Sequence, residues 1–228
     1  MKKTIFTVVL SLMAISTVFA QTQVGLRAGL NVATTTNSVE ADDLEAPWRP
    51  GLVIGLATSF RAGENFAIAP EFNYVQKGSK LEGSYSPIGT AFPFNEEFDV
   101  KLNYIELPLL FRAHFGDVLG GYVNAGPTFS YLFSGEFVRD GEDEDFEVED
   151  ASFNRFQLGA AIGGGVALNT EIGTFLIDIR YTRDFSKLYD DNQDDRTNTI
   201  SLANYYDRED ARNQMISTSL IFLIPSLR

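Results

Sequence analysis

The chain of 228 residues carries 31 Asp and Glu against 18 Lys and Arg, a formal net charge of −13, with one His and no Cys. Such acidity disfavours a nucleic-acid partner, whose phosphates would be repelled, and the lack of Cys excludes disulfides and thiolate metal sites. Abundant Phe (19), Tyr (9) and Gly (19) are typical of β-structure rather than of helices.

The N-terminal residues 1–20 have the pattern of a secretory signal peptide. Lys2 and Lys3 precede an apolar run, and Val18-Phe19-Ala20 places small residues at the positions that signal peptidase reads. We expect cleavage before Gln21, which gives the mature chain a net charge of −15, since two lysines are lost from −13. The alternative is a membrane anchor, but the apolar run is shorter than the ~20 residues that a spanning helix needs.

Period-two alternation is the dominant pattern after residue 21, and it predicts strands. One face of each segment is large and apolar, whereas the other holds Gly, Ala, Ser, Asn and a few charges. The segments are residues 23–32, 51–60, 66–77, 104–115, 122–133, 155–168, 175–181 and 214–224. We predict an all-β fold: an eight-stranded antiparallel up-and-down transmembrane β-barrel over residues 21–228, with the large face towards lipid and the small face in a narrow lumen. A soluble lipocalin-like barrel is the alternative.

The connections between these segments alternate between long and short. The short ones are residues 61–65, 116–121 and 169–173, and the long ones are residues 33–50, 81–99, 139–152 and 186–212. The four long connections hold 23 of the 31 acidic residues. Short periplasmic turns and long external loops are typical of outer-membrane barrels, so we predict that the protein lies in the outer membrane with an acidic external rim.

Four segments resemble the PorT-type outer-membrane β-barrel family of Gram-negative bacteria. They are Gly25-Leu26-Arg27-Ala28-Gly29-Leu30-Asn31, Pro70-Glu71-Phe72-Asn73-Tyr74-Val75-Gln76-Lys77-Gly78, Tyr104-Ile105-Glu106-Leu107-Pro108-Leu109-Leu110-Phe111-Arg112 and Asn124-Ala125-Gly126-Pro127. The resemblance implies an eight-stranded membrane barrel. It does not imply one activity, because the family includes both porin-like proteins and members that assist gliding and type IX secretion.

Eight charged residues fall on the predicted inner face. They are Arg27, Glu71, Lys77, Glu106, Arg112, Arg155, Asp178 and Arg180. An unpaired charge in a narrow lumen is costly, so we expect Arg27, Arg112 and Arg180 to pair with the carboxylates of Glu71 and Glu106. The predicted role is a plug of ion pairs. A gate that opens to a small pore and a proton-handling carboxylate are the alternatives.

Catalysis and nucleotide binding find little support in the sequence. His114 is placed at the periplasmic end of the fourth strand without a convincing nucleophile beside it, so we predict no catalytic residues and no enzyme. Gly163-Gly164-Gly165 lies inside a predicted strand, with no helix or Lys following as a phosphate loop requires. We expect these glycines to allow close strand packing, and we predict no cofactor.

Two acidic runs in the long connections are candidate cation sites. They comprise Glu142, Asp143, Glu144 and Asp145 in one connection and Asp190, Asp191, Asp194 and Asp195 in another. The second run resembles the start of an EF-hand loop, but Asp195 stands where Gly is needed and the twelfth position lacks Glu. Solvated loops are therefore the simpler interpretation, with weak bridging of divalent ions to lipopolysaccharide or a partner as the alternative.

The predicted function is that of a small non-enzymatic barrel with acidic external loops for interaction. Outer-membrane lipid is the expected environment, other envelope proteins are possible partners, and the chain is expected to be a monomer. Outward aromatic residues such as Phe66, Phe115 and Tyr131 fit the aromatic girdles of membrane barrels. A narrow passive pore and an assembly factor for a type IX-like secretion or gliding system are the alternative functions.

Overall fold

A computed structural model describes residues 22–36, 48–85, 94–139, 142–146, 153–188 and 211–225. The predicted signal peptide lies outside these ranges. The strands are β1 (Thr22–Thr36), β2 (Arg49–Arg61), β3 (Phe66–Tyr85), β4 (Phe94–Phe115), β5 (Leu119–Arg139), β6 (Glu142–Phe146), β7 (Phe156–Thr170), β8 (Gly173–Asp184) and β9 (Arg212–Pro225). In these ranges no helix is long and apolar enough to span a membrane.

Eight of the strands close into an antiparallel barrel, as predicted. Each strand pairs with its neighbour in the order β1-β2-β3-β4-β5-β7-β8-β9, and β9 pairs back onto β1, with Leu26 opposite Phe222. The remaining strand, β6, is short, and among the described strands it pairs with the end of β5 alone, from Gly135 opposite Phe146 to Arg139 opposite Glu142. Closure leaves the membrane-spanning part without a free sheet edge, which lipid would not tolerate.

The outer face of the barrel is apolar, because the alternation places large side chains outward on every barrel strand. Leu26, Ile54, Phe111 and Ile179 are each more than half exposed. The same face also carries Val24, Leu30, Leu56, Phe72, Leu107, Val123, Phe129, Ile162, Val166, Ile177 and Leu220. Such a continuous apolar band belongs in hydrocarbon rather than in water.

Three strands extend well beyond the length that a membrane requires. A spanning β-strand needs ~9–11 residues, whereas β3, β4 and β5 have 20, 22 and 21 residues. Their pairing continues from Gly78 opposite Lys101 to Tyr85 opposite Phe94. The predicted connections at residues 81–99 and 139–152 were therefore wrong in part, since both contain paired strand. We call the paired segments 78–85, 94–103 and 134–139 together with β6 the projecting sheet.

The Gly163-Gly164-Gly165 run lies within β7, between β5 and β8. A Cβ atom on Gly165 would overlap the carbonyl oxygen of Ile177 and would lie 3.1 Å from the hydroxyl of Tyr122. These contacts support the interpretation of the run as a site of close packing.

Replacing Gly165 by Ala is expected to prevent barrel closure, because even a Cβ atom cannot fit between β7 and β8 without moving backbone. The measurement is the mobility shift between folded and heat-unfolded protein on a gel. Gly121→Ala is the matched control, since a Cβ at Gly121 meets only the Gly165 carbonyl oxygen at an ordinary 3.7 Å. Equal folding yields of the two variants would contradict the packing role of Gly165.

Candidate functional site: the barrel interior

Four charged side chains meet in the half of the lumen nearer the short turns, and we call them the lower cluster: Arg27, Glu71, Asp178 and Arg180. Nη1 of Arg27 lies 2.6 Å and Nη1 of Arg180 lies 2.8 Å from Oε2 of Glu71. Nη2 of Arg180 lies 3.0 Å from Oδ1 of Asp178, and Nη2 of Arg27 lies 3.7 Å from the same oxygen. Two guanidinium groups thus bracket two carboxylates from β3 and β8.

Neutral side chains hold the lower cluster in position. Arg27 donates from Nε to Ser219 and from Nη2 to Ser217, both on β9, at 3.1 and 3.2 Å. The amide of Asn73 donates to Oε2 of Glu71 at 3.0 Å. The amide of Asn124 and the hydroxyl of Tyr122 donate to Oδ2 of Asp178 at 3.0 and 2.9 Å. These bonds replace the water that the ions lose on burial.

Three further charges form an upper cluster nearer the long connections: Lys77, Glu106 and Asp184. Nζ of Lys77 lies 3.0 Å from Oε2 of Glu106 and 3.1 Å from Oδ2 of Asp184. The same ammonium lies 5.0 Å from the centroid of the Tyr104 ring. One cation therefore serves two carboxylates, from β4 and β8.

Asp184 belongs to the buried charge network but was missing from the sequence analysis. The predicted strand stopped at Tyr181, whereas β8 runs to Asp184. Continuing the inward positions by steps of two from Asp178 and Arg180 reaches Thr182 and then Asp184, so the signal was present in the alternation.

Arg112 is buried at the inner face of β4 but is not part of the lower cluster's ion pairs. Its guanidinium lies over the Tyr122 ring, 4.9 Å from the centroid. Among the described residues no carboxylate comes within ion-pair distance of it, and its Nε atom is buried without a hydrogen-bond partner. The expected pairing of Arg112 with Glu71 or Glu106 is therefore absent from these ranges.

Arg155 is not on the inner face, which corrects its predicted place in the lumen. It stands one residue before β7 begins, where the alternation no longer fixes the side-chain direction. Its guanidinium lies 5.0 Å from the centroid of the outward Tyr131 ring, and its Nε donates to the carbonyl of Leu132 at 3.4 Å.

Both clusters are shielded from solvent. The side chains in these ion pairs are only 0–3% exposed. Buried apolar residues lie on either side: Tyr122, Leu176, Ile221 and Leu223 pack near the short turns, and Val53, Val75 and Met215 pack towards the long connections. Buried ions in such surroundings are held in fixed positions, because separating them would leave bare charges in a dry interior.

A cavity of about 700 Å³ opens at the short-turn end of the barrel. His114, Arg112 and Arg61 line it, together with the turn residues Glu64 and Asp117. The centroids of the His114 and Tyr122 rings lie 6.4 Å apart. The structure thus places His114 at the end of the barrel that the sequence analysis expected.

The two acidic runs predicted as loop cation sites differ in where they fall. Glu142, Asp143, Glu144 and Asp145 lie in the strand β6 rather than in a loop. Asp190, Asp191, Asp194 and Asp195 lie outside the described residues. Within the described ranges no three His, Cys, Asp or Glu residues are grouped as a metal ion would require.

Comparison with known proteins relates this fold to the outer membrane. A family model described as the outer membrane protein beta-barrel domain matches residues 19–190. The chain is similar to the structure of neisserial surface protein A, at 12% identity and a TM-score of 0.44, with 87% of this chain and 96% of that chain covered. It is also similar to OprG from Pseudomonas aeruginosa, at 8% identity and a TM-score of 0.45, with 90% and 94% covered.

A third similar structure is Ail, the attachment invasion locus protein of Yersinia pestis. The identity is 11% and the TM-score 0.41, with 90% of this chain and 99% of that chain covered. No curated protein matches the sequence.

Proposed function

This chain belongs to the outer membrane protein β-barrel domain family, and from this premise we propose that it is a non-enzymatic barrel sealed by its own ion pairs. Recognition is then carried by its acidic external face. The observation that supports the seal is the burial of both charge clusters, whose paired side chains are 0–3% exposed.

The seal follows from the energetics of buried ions. Water or a small ion crossing the lumen would have to part Glu71 from two guanidiniums, or Lys77 from two carboxylates. Breaking a buried pair leaves an uncompensated charge, which costs about 3–5 kcal/mol. An eight-stranded barrel also has little interior space beyond its own side chains. The closed state is therefore favoured over a conducting one.

The proposed seal predicts that the refolded mature chain is electrically silent in a planar bilayer. Heat-modifiable gel mobility would first establish that the inserted protein is a folded barrel. Silence at ordinary voltages is the expected result. Steady, cation-selective steps would overturn the seal and favour the alternative of a narrow passive pore.

The projecting sheet supports the proposal that recognition takes place outside the membrane. It carries Glu82, Glu96, Glu97 and Asp99 on β3 and β4, and β6 consists of four acidic residues followed by Phe146. Segments of this charge attract basic partners and repel anionic ones. We therefore propose an envelope or external protein with a basic surface as partner, bound by a monomeric barrel that sits in outer-membrane lipid.

A second candidate function, assembly of a type IX-like secretion or gliding system, is supported by the PorT-like motifs. Two of the four motifs lie on the neighbouring strands β3 and β4. They supply Glu71 to the lower cluster and Lys77 and Glu106 to the upper cluster. A deletion strain separates the two functions: blocked secretion with unchanged permeability would favour the assembly role, whereas normal secretion would weigh against it.

A further inference from the structure

We propose that the cavity at the short-turn end binds a small organic carboxylate, whose anionic group pairs with Arg112. In outer-membrane barrels this end faces the periplasm. The proposed site is independent of the seal and of the external face, because it uses neither the ion-paired residues nor the projecting sheet.

The first observation behind this site is an uneven distribution of charge along the lumen. Within the lower half of the lumen, three guanidiniums (Arg27, Arg112 and Arg180) face two carboxylates (Glu71 and Asp178). The two carboxylates are engaged by Arg27 and Arg180. Arg112 is therefore the cation of this half that makes no direct ion pair among the described residues, although the extra carboxylate of the upper cluster balances the charge of the lumen as a whole. It is only 2% exposed.

A buried guanidinium without a direct ion pair is costly, so its retention calls for an explanation. The Tyr122 ring, 4.9 Å away, offsets only part of that cost. The remaining donors of Arg112 suit a carboxylate, because a guanidinium fork matches the two oxygens of that group. Since Arg112 also lines the cavity, an anion entering from the short-turn end can reach it.

The cavity walls indicate what the rest of the ligand is. Ala167, Leu176 and Leu223 form an apolar wall beside Arg112. A volume of about 700 Å³ is within the usual range of small-molecule sites. An organic carboxylate fills such a site better than inorganic phosphate, which gains nothing from apolar contact. Arg61 and His114 add polarity near the entrance, whereas Glu64 and Asp117 disfavour ligands with many negative charges.

The test is an NMR titration of the folded mature chain in lipid nanodiscs, with butyrate, acetate and inorganic phosphate as separate probes. We expect a saturable shift of the Arg112 side-chain and His114 signals, with butyrate binding more tightly than acetate or phosphate. Equal affinities for the three probes would overturn the organic carboxylate, and the absence of any saturable shift would overturn the site.

Two variants and one control make the test specific. Arg112→Met is expected to weaken butyrate binding at least about tenfold, the usual effect of losing a charge-assisted bond. Ser59→Leu, which fills the cavity from β2 and leaves the guanidinium intact, is expected to weaken binding as well. Arg183→Met, an exposed position on β8, is the control and should bind as the wild type does. Unchanged binding by folded Arg112→Met or Ser59→Leu protein would contradict the proposal.

Discussion

Replacing Glu71 by Gln is expected to destabilise the folded barrel by about 3–5 kcal/mol, the range for breaking a buried ion pair from one side. Gln keeps the size of the side chain but removes the negative charge that Arg27 and Arg180 share. Three guanidiniums would then face Asp178 alone. The measurement is a urea titration in phospholipid vesicles, in which the folded fraction is followed by gel mobility.

The matched control is Glu136→Gln. Glu136 also pairs with a cation, Lys101, at 3.4 Å, but the two side chains are 28% and 23% exposed. Solvent-accessible pairs contribute only about 0–1 kcal/mol. We therefore expect Glu136→Gln to change the free energy of unfolding little. An equal loss of stability in Glu136→Gln and Glu71→Gln would contradict the claim that burial makes the Glu71 ion pairs important.

A double variant separates loss of charge balance from loss of shape. Glu71→Met with Arg180→Met leaves Arg27 and Asp178 as a balanced pair. Buried ion pairs replaced by apolar residues of similar volume often cost little. The double variant should thus be more stable than Glu71→Gln, and a larger loss in the double variant would show that these side chains act through packing instead.

Replacing Lys77 by Met is expected to have the second large effect, again a loss of about 3–5 kcal/mol. The ammonium of Lys77 lies 3.0 Å from Glu106 and 3.1 Å from Asp184, so its removal leaves two carboxylates close together in a dry interior. The same urea titration measures the loss. Lys101→Met is the control, because the Lys101 ion pair is partly exposed.

Adding Asp184→Asn to Lys77→Met is expected to restore part of the lost free energy of unfolding. The amide removes one of the two facing charges while it preserves the shape of the side chain. Failure of Asp184→Asn to restore any stability would contradict the assignment of repulsion as the cause of the loss.

The barrel and its two faces could be predicted from the sequence, because the alternation of apolar and polar residues indicates both the strands and the direction of each side chain. On β4, the outward Leu107, Leu109 and Phe111 and the inward Glu106 and Arg112 are fixed by period two alone. The lipid environment strengthens this signal, since every outward position must be apolar. The sequence therefore indicated which charges enter the lumen on most strands.

Partner choice within the lumen could not be predicted in the same way. Lys77 on β3 meets Asp184 on β8, 107 residues away along the chain and across the barrel. The stagger between strands decides which inward residues lie at the same depth in the lumen, and residue spacing does not reveal that stagger. For this reason Arg112 was expected to pair with a carboxylate, whereas the structure gives it the ring of Tyr122.

The projecting sheet was not predicted from the sequence, because the period-two pattern that marks the membrane-spanning strands is weak there. Residues 78–85 and 94–99 pair as strands, but polar residues such as Glu82, Asn95 and Glu97 and the small residues Gly83 and Ser84 interrupt the regular alternation of large and small residues. Beyond the membrane a strand does not need an unbroken apolar face, so the alternation weakens where the pairing continues. The same lack of apolar alternation in β6 led to its interpretation as a loop.

The most direct test of the sealed barrel is a comparison of bilayer conductance between the wild type and Glu71→Ser with Arg180→Ser. This pair of changes removes two large side chains from the lumen and leaves Arg27 balanced by Asp178. With both proteins shown to be folded, we predict a silent wild type and small, steady current steps from the variant. A conducting wild type, or a folded variant that stays silent, would contradict the claim that these ion pairs close the lumen.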